Sequence, residues 1–188
     1  MNVRLIAGTF GGRIIEGSGT NRTHPMGERI RSSLFNIIGS EVEGAKVLDA
    51  FAGSGSLGLE AISRGAASAT FIERDRIAQR VITNNIATLG VKAQTKLVKA
   101  PVSGWQGTYQ KAIDNGDEAL FDIIFADPPY HDLQLSTAMR LTKLLKPNGL
   151  MVLSYTGRGE VPTELGVVVV DNRSYGDAVL AFYRKEGA

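Results

Sequence analysis

Two short stretches hold residue types and spacings suited to chemistry. The first is Gly53-Ser54-Gly55-Ser56-Leu57-Gly58, a G-x-G-x-x-G turn that directly follows the run Val47–Phe51 and opens a helical pattern. Glycines there let the chain turn sharply and approach a ligand closely, while the free amides of the helix start face it. Glu73 ends the next apolar run, 24 residues after Asp49, where a carboxylate can accept hydrogen bonds from both hydroxyls of a ribose. Glycines also serve such turns for steric reasons alone, but strand, glycine turn and acid together favour an adenosine-containing cofactor. NAD and S-adenosylmethionine both satisfy that pattern. Asp49 lies four residues before the first glycine and suits a ligand carrying an ammonium and a sulfonium better than a pyrophosphate. It also fits a carboxylate that caps loop amides, and the two roles are compatible.

The second stretch is Asp127-Pro128-Pro129-Tyr130, which follows the buried-strand pattern Phe121–Ala126. That puts it at a carboxyl edge, where open α/β sheets bind ligands. The prolines fix φ and remove two amide donors, so the turn is stiff and presents acceptors. Such acceptors suit the exocyclic amine of a nucleic-acid base, whose lone pair is delocalised into the ring. A carboxylate and a backbone carbonyl accepting its two N–H bonds would hold it pyramidal and in line for attack on a methyl carbon, and would stabilise the positive charge developing on nitrogen. Tyr130 supplies a ring for the splayed-out base to stack on. Alone, the tetrapeptide reads as a rigid turn capped by Asp127. About 54 residues past Glu73 and behind a clean strand, it reads as a reactive edge. These residues do not separate guanine from adenine, or RNA from DNA.

The elements that must position both stretches are strands alternating with helices. Strand patterns at 47–51, 69–73, 95–98, 121–126 and 150–155 are separated by helical patterns at 56–64, 75–89, 103–115 and 133–145. Such repeats imply parallel strands with right-handed crossovers, an α/β doubly wound sheet covered on both faces. Strand patterns at 166–171 and 178–184, joined through Arg173–Asp177, add a hairpin and hence an antiparallel strand. Ahead of this body, residues 3–7 and 13–15 suggest a small hairpin, 16–27 a loop, and Glu28–Ile38 a helix closed by Gly39.

The chain has 188 residues and no Cys, which excludes disulfides, thiolate metal sites and a cysteine nucleophile. His24 and His131 are its only histidines, far apart in sequence, so no metal is expected. Trp105 reads as packing, and Ser54 and Ser56 as parts of the glycine loop and a helix cap. The apolar run at the start is too short for a signal peptide and no segment is long enough to span a membrane, so a cytoplasmic location is expected. Residues 1–31 hold five Arg and two acids, whereas the rest of the chain holds 16 basic and 17 acidic side chains. A basic start on a near-neutral body suggests a local phosphate-binding surface; a solvated Arg-rich face fits the charge equally well.

Taken together, these stretches resemble the bacterial 16S rRNA guanine-N2 methyltransferase family, type D. The matching residues are Arg4–Gly8 with Gly12-Arg13, Glu28–Arg31, Leu34–Asn36, Asp49–Gly55 with Leu57–Ala61 and Ser63–Ala66, Glu73, Phe121-Asp122, Asp127–Tyr130 and Tyr175–Asp177. The resemblance implies a Rossmann-like class I methyltransferase fold of seven strands, with residues 1–40 as an RNA-contacting extension and 41–188 as the catalytic domain. It implies S-adenosylmethionine as cofactor, held by Asp49, Phe51, Ala52, Gly53, Ser54, Gly55 and Glu73, with backbone near Ala100 at the adenine. Asp127, Pro128, Pro129 and Tyr130 would be catalytic, and Arg4, Arg13, Arg29 and Arg31 would grip the RNA. The partner implied is 16S rRNA or the assembling 30S subunit, acted on by a monomer.

Two stretches depart from the family pattern. Lys99-Ala100-Pro101 stands where the family has Asp-Ala, and Pro25-Met26-Gly27-Glu28-Arg29 where it has Pro-Thr-Thr-Asp-Arg, so roles of that acid and those threonines do not carry over. Competing readings are an adenine-N6 DNA methyltransferase, an NAD-dependent oxidoreductase and a non-catalytic RNA-binding protein that retains the cofactor fold.

Overall fold

The structure, a computed structural model, describes residues 1–18, 26–157 and 160–187. Arg22, His24 and Pro25, within the loop expected over 16–27, fall outside them. The chain opens with an antiparallel hairpin, β1 (Asn2–Arg4) and β2 (Ile14–Glu16), followed by α1 (Glu28–Ile38). Then β3 (Lys46–Ala50), α2 (Ser56–Ser63), β4 (Ser68–Glu73), α3 (Arg76–Leu89), β5 (Thr95–Lys99), α4 (Val102–Asp114), β6 (Phe121–Ala126) and α5 (Leu135–Arg140) alternate. The chain ends with β7 (Leu145–Thr156), β8 (Val167–Tyr175) and β9 (Ala178–Lys185). β3 to β9 form one seven-stranded sheet in the order β5-β4-β3-β6-β7-β9-β8. β5 through β7 pair in parallel, and β9 lies antiparallel between β7 and β8.

Alternation along the strands assigns each face a core. Val47, Phe71, Phe125 and Val152 pack with Leu34, Phe35, Leu59 and Ile82 from α1, α2 and α3. Leu48, Ile72, Ile124 and Leu153 pack on the other face with Val102, Tyr109, Ala138 and Met139 from α4 and α5. Trp105 stacks on Tyr109 at 4.7 Å between ring centroids and belongs to that second core. Central strands buried on both faces explain why their sequences read as continuous apolar runs.

Three elements differ from the sequence expectation. The helix expected over 133–145 is a six-residue α5 preceded by Gln134 at φ 43° and followed by a 3-10 turn over Leu141–Leu144. Leu145 is already paired with Phe121, so the segment has to straighten there. Pro147-Asn148-Gly149 is therefore a bulge inside β7: the register jumps from Phe121↔Leu145 to Ile123↔Leu150, with Asn148 at φ 66°. The last hairpin turns tightly at Gly176-Asp177, because β8 continues through Arg173 to Tyr175.

The N-terminal extension is locked to the sheet body through α2. Glu60 is completely buried there and accepts the amides of Ile6 (2.8 Å) and Ala7 (3.1 Å). Arg64 pairs with the same carboxylate at 2.9 Å, and the guanidinium of Arg31 approaches it to 3.7 Å. Ser63 accepts the Phe10 amide and donates to the Ala7 carbonyl. Gly8 runs so close to this helix end, at φ +81°, that a Cβ would lie 1.9 Å from the Ser63 carbonyl oxygen. Glu60→Ala strands a buried guanidinium and two amides, so urea denaturation should show a loss of about 3–5 kcal/mol. Arg4→Ala, which breaks only the exposed pair with Glu28, should change the midpoint little.

Candidate active site

A cavity of about 590 Å³ opens at the carboxyl ends of β3, β4 and β6 and is walled on one side by the start of α4. That volume is typical of small-molecule sites, and so is the position. Of the residues expected at a cofactor, Asp49, Phe51, Ala52, Gly53, Ser54, Glu73 and Ala100 line it; so do all four residues of Asp127–Tyr130. The two reactive stretches thus share one chamber. Gly55 stands behind the wall. It is the N-cap of α2, in the left-handed region at φ 82°, where the turn into the helix requires a glycine. Neither Ser54 nor Ser56 caps that helix, contrary to the expected capping role. Gly58 serves packing, since a Cβ there would sit 2.4 Å from the Phe71 ring.

The acids of the chamber are held by main-chain amides. Glu73 accepts from Gly53 N (2.8 Å) through one oxygen and from Asp75 N (2.7 Å) through the other, with the Arg74 amide also favouring its charge, and a carboxylate's four lone pairs exceed these donors. Asp49 accepts from Gly58 N at 2.9 Å, so it does cap a loop amide while it lines the chamber. Burial pushes the Asp49 carboxyl well above the usual range, the Gly58 amide opposes this, and the charges of Asp127 and Glu73 add to it. Glu73 is raised by burial against the pull of its amide partners. Desolvation lifts Asp127 to about 7, offset in part by a hydrogen bond with the buried Ser154 of β7. Beyond Asp127, the amide of Asp132 takes the Pro129 carbonyl at 3.0 Å, whereas the Pro128 carbonyl accepts no backbone amide among the described residues. Tyr130 is 54% exposed at the rim. The Ser54 hydroxyl is buried and has no hydrogen-bond partner among the described residues.

Several lining residues carried no signal of their own in the sequence. Ser18 and Met26 reach the chamber from the N-terminal extension, and only the fold brings them there. Arg74, Asp75, His131 and Gln134 also line it, as do Pro101 and Val102, which adjoin Ala100 in the stretch expected near an adenine. Each follows within a few residues of a strand end that the motifs had marked, which is the signal that could have found them. Lys99 is exposed outside the chamber, and Ala100 donates its amide to the Glu73 carbonyl at 3.2 Å.

The four arginines expected at a phosphate surface do not come together. Arg31 is 1% exposed, with its guanidinium bonded to the carbonyls of Arg4 and Met26 beside Glu60; a side chain so enclosed cannot meet a phosphate. Arg4 pairs with Glu28, and Arg13 donates to the Thr88 carbonyl while lying over the Phe10 ring. Arg29 is exposed on α1.

Sheet order, the antiparallel seventh strand and a chamber at the carboxyl edge define a Rossmann-like class I methyltransferase fold. A family model described as Conserved hypothetical protein 95 matches residues 3–184, and the chain belongs to that family. Among its relatives, the Bacillus subtilis protein YlbH is 31% identical over 98% of this chain and 100% of its own length. Ribosomal RNA small subunit methyltransferase D of Escherichia coli is 35% identical over 78% of this chain and 68% of its own. The solved structure of the Escherichia coli protein yhhF superposes with a TM-score of 0.87 at 29% identity, covering 100% of both chains.

Removing the Asp127 charge should stabilise the empty protein above neutral pH. A carboxyl held near 7 in the folded state and near 4 when unfolded keeps its proton in the fold between those values, so stability falls as pH rises through that window. Asp127→Asn should therefore raise the melting temperature at pH 8, by up to a few kcal/mol of stability, and change it much less at pH 4.

Proposed function

We propose that this chain is a methyltransferase that moves a methyl group from S-adenosylmethionine to the N2 amine of a guanine in 16S rRNA of the small ribosomal subunit. The observation that carries this reading is the single chamber joining the Asp127–Tyr130 turn to Asp49 and Glu73. Membership of a family with small-subunit rRNA methyltransferases among its close relatives supports the choice of rRNA.

The chamber suits the cofactor on chemical grounds. Three carboxyls with raised pKa values crowd it, and a ligand with ammonium and sulfonium centres relieves that crowding where a pyrophosphate would add to it. The free lone pairs of Glu73 fit ribose hydroxyls, Asp49 fits the ammonium, and the unpartnered Ser54 hydroxyl fits a polar group of the methionine end. Ile72, Pro101 and Val102 offer apolar surface for an adenine. When bound, S-adenosylmethionine supplies an electrophilic methyl group.

The chain's own residues then orient the nucleophile. Tyr130 at the rim stacks on the extruded guanine, and the prolines keep the turn rigid. The Asp127 carboxylate and the Pro128 carbonyl accept the two N–H bonds of the amine, which turns its lone pair towards the methyl carbon. Positive charge developing on nitrogen is met by these acceptors in a poorly solvated site, and Asp127 receives the excess proton. Ser154 positions that carboxyl and keeps it ionisable near neutral pH.

Labelled S-adenosylmethionine should transfer its methyl group to unmodified 16S rRNA or 30S particles, with N2-methylguanine in the nucleoside digest. Methyladenine, methylated DNA or no product despite intact cofactor binding would reject the assignment. Asp127→Ala should abolish transfer while calorimetric binding of S-adenosylhomocysteine persists. Because the carboxylate is the working form, kcat/KM should fall as pH drops through about 7. Ser154→Ala should move that acid limb upward by roughly one pH unit, the worth of a hydrogen bond to a charged group.

A further inference from the structure

A second groove, of about 540 Å³, lies between the first turn of α1 and the turn joining β8 to β9. Gly27, Arg29 and Ile30 form one wall, and Ser174, Tyr175 and Gly176 the other. A hydrogen bond between Ser33 and Tyr175 holds the walls together. β7 and β8 each pair with β9 in the antiparallel sense, so β8 runs in the same direction as β7 and its parallel neighbour β6, and this groove is on the same carboxyl edge as the active chamber. Three strand spacings, roughly 14 Å, separate β6 from β8 along that edge. The two spaces also share a wall segment, for Met26 lines the chamber and Gly27 the groove.

Charge marks the groove for an anion. Of Arg4, Arg13, Arg29 and Arg31, only Arg29 has no ion pair or hydrogen bond among the described residues. The nearest described acid on its own helix, Glu28, is occupied by Arg4; on the facing wall Asp171 is taken by Arg173, and Asp177, next along the turn from Gly176, is exposed but does not line the groove. Arg29, exposed and without a partner among the described residues, shares this groove with the Ser174 hydroxyl and a glycine turn, and a guanidinium fork suits a phosphate.

We infer that this groove receives a phosphodiester of the RNA strand a few nucleotides from the target base, with Arg29 as its phosphate ligand. The inference rests on the rRNA-methylating reading above. A base drawn into the chamber at Tyr130 leaves its neighbours on the carboxyl edge, and the groove lies where the strand would continue. Phosphate contacts of this kind fix register on the protein without reading sequence.

The test is equilibrium binding of unmodified 16S rRNA over a series of salt concentrations, with S-adenosylhomocysteine titration and thermal melting alongside. Arg29→Gln should weaken RNA binding about threefold to tenfold and reduce the slope of log K against log salt by about one, with cofactor affinity and melting unchanged. Ser174→Trp, which fills the groove without touching the charge, should also weaken RNA binding. Wild-type affinity and slope in both variants would overturn the groove while leaving the methyltransferase reading intact. A wild-type protein that binds no rRNA would overturn that reading and the groove with it.

Discussion

Glu60 has no access to solvent, yet it is the point where three parts of the chain meet. Its carboxylate takes two amides from the end of the hairpin, the Arg64 guanidinium from its own helix, and the charge of Arg31 from α1. A buried acid with this many donors is tolerable only when all of them arrive together, so the clasp fixes the extension in one orientation. Asn85 reinforces the arrangement from α3: it pairs with both the amide and the carbonyl of Glu16 and also donates to the Ser54 carbonyl in the glycine loop. The hairpin, the first helix and the glycine loop are therefore parts of one hydrogen-bonded assembly, and Ser18 and Met26 reach the chamber because of it.

The fold was legible because its signals are local. An apolar run closed by a glycine turn and a helical pattern specifies a βα unit almost residue by residue, and Phe121–Ala126 appears as the strand its sequence suggested. Where long-range pairing overrides local preference, the reading slipped. Leu141–Leu145 has a helical pattern, but the partner strand Phe121 claims Leu145, and the chain yields to the ladder. The chamber followed a similar rule: residues within a motif were found, whereas several just past a strand end, and those delivered by tertiary packing, were not. Arg31 is the clearest case. Its charge placed it on a surface, and nothing in the sequence around it announces that Glu60, 29 positions later, would draw it inside.

The electrostatics of the chamber have one theme. Asp49, Glu73 and Asp127 lie on three neighbouring strands, and the same desolvation raises all three. They differ in what steadies the charge: one amide for Asp49, several for Glu73, and a hydroxyl for Asp127. Asp127 is the one beside the rim, where a carboxyl poised near neutrality can take up and release a proton.

Asp49 and Glu73 are tethered to main-chain amides of the glycine turn, the helix it opens and the strand end, with side-chain partners playing little part. A chamber specified in that way is insulated from drift in its surroundings. Substitutions in the walls can accumulate for as long as the main chain keeps its course, because no particular neighbouring side chain is needed to aim Asp49 or Glu73. A chain that shares fewer than a third of its residues with yhhF and still superposes along its whole length is the outcome such insulation permits.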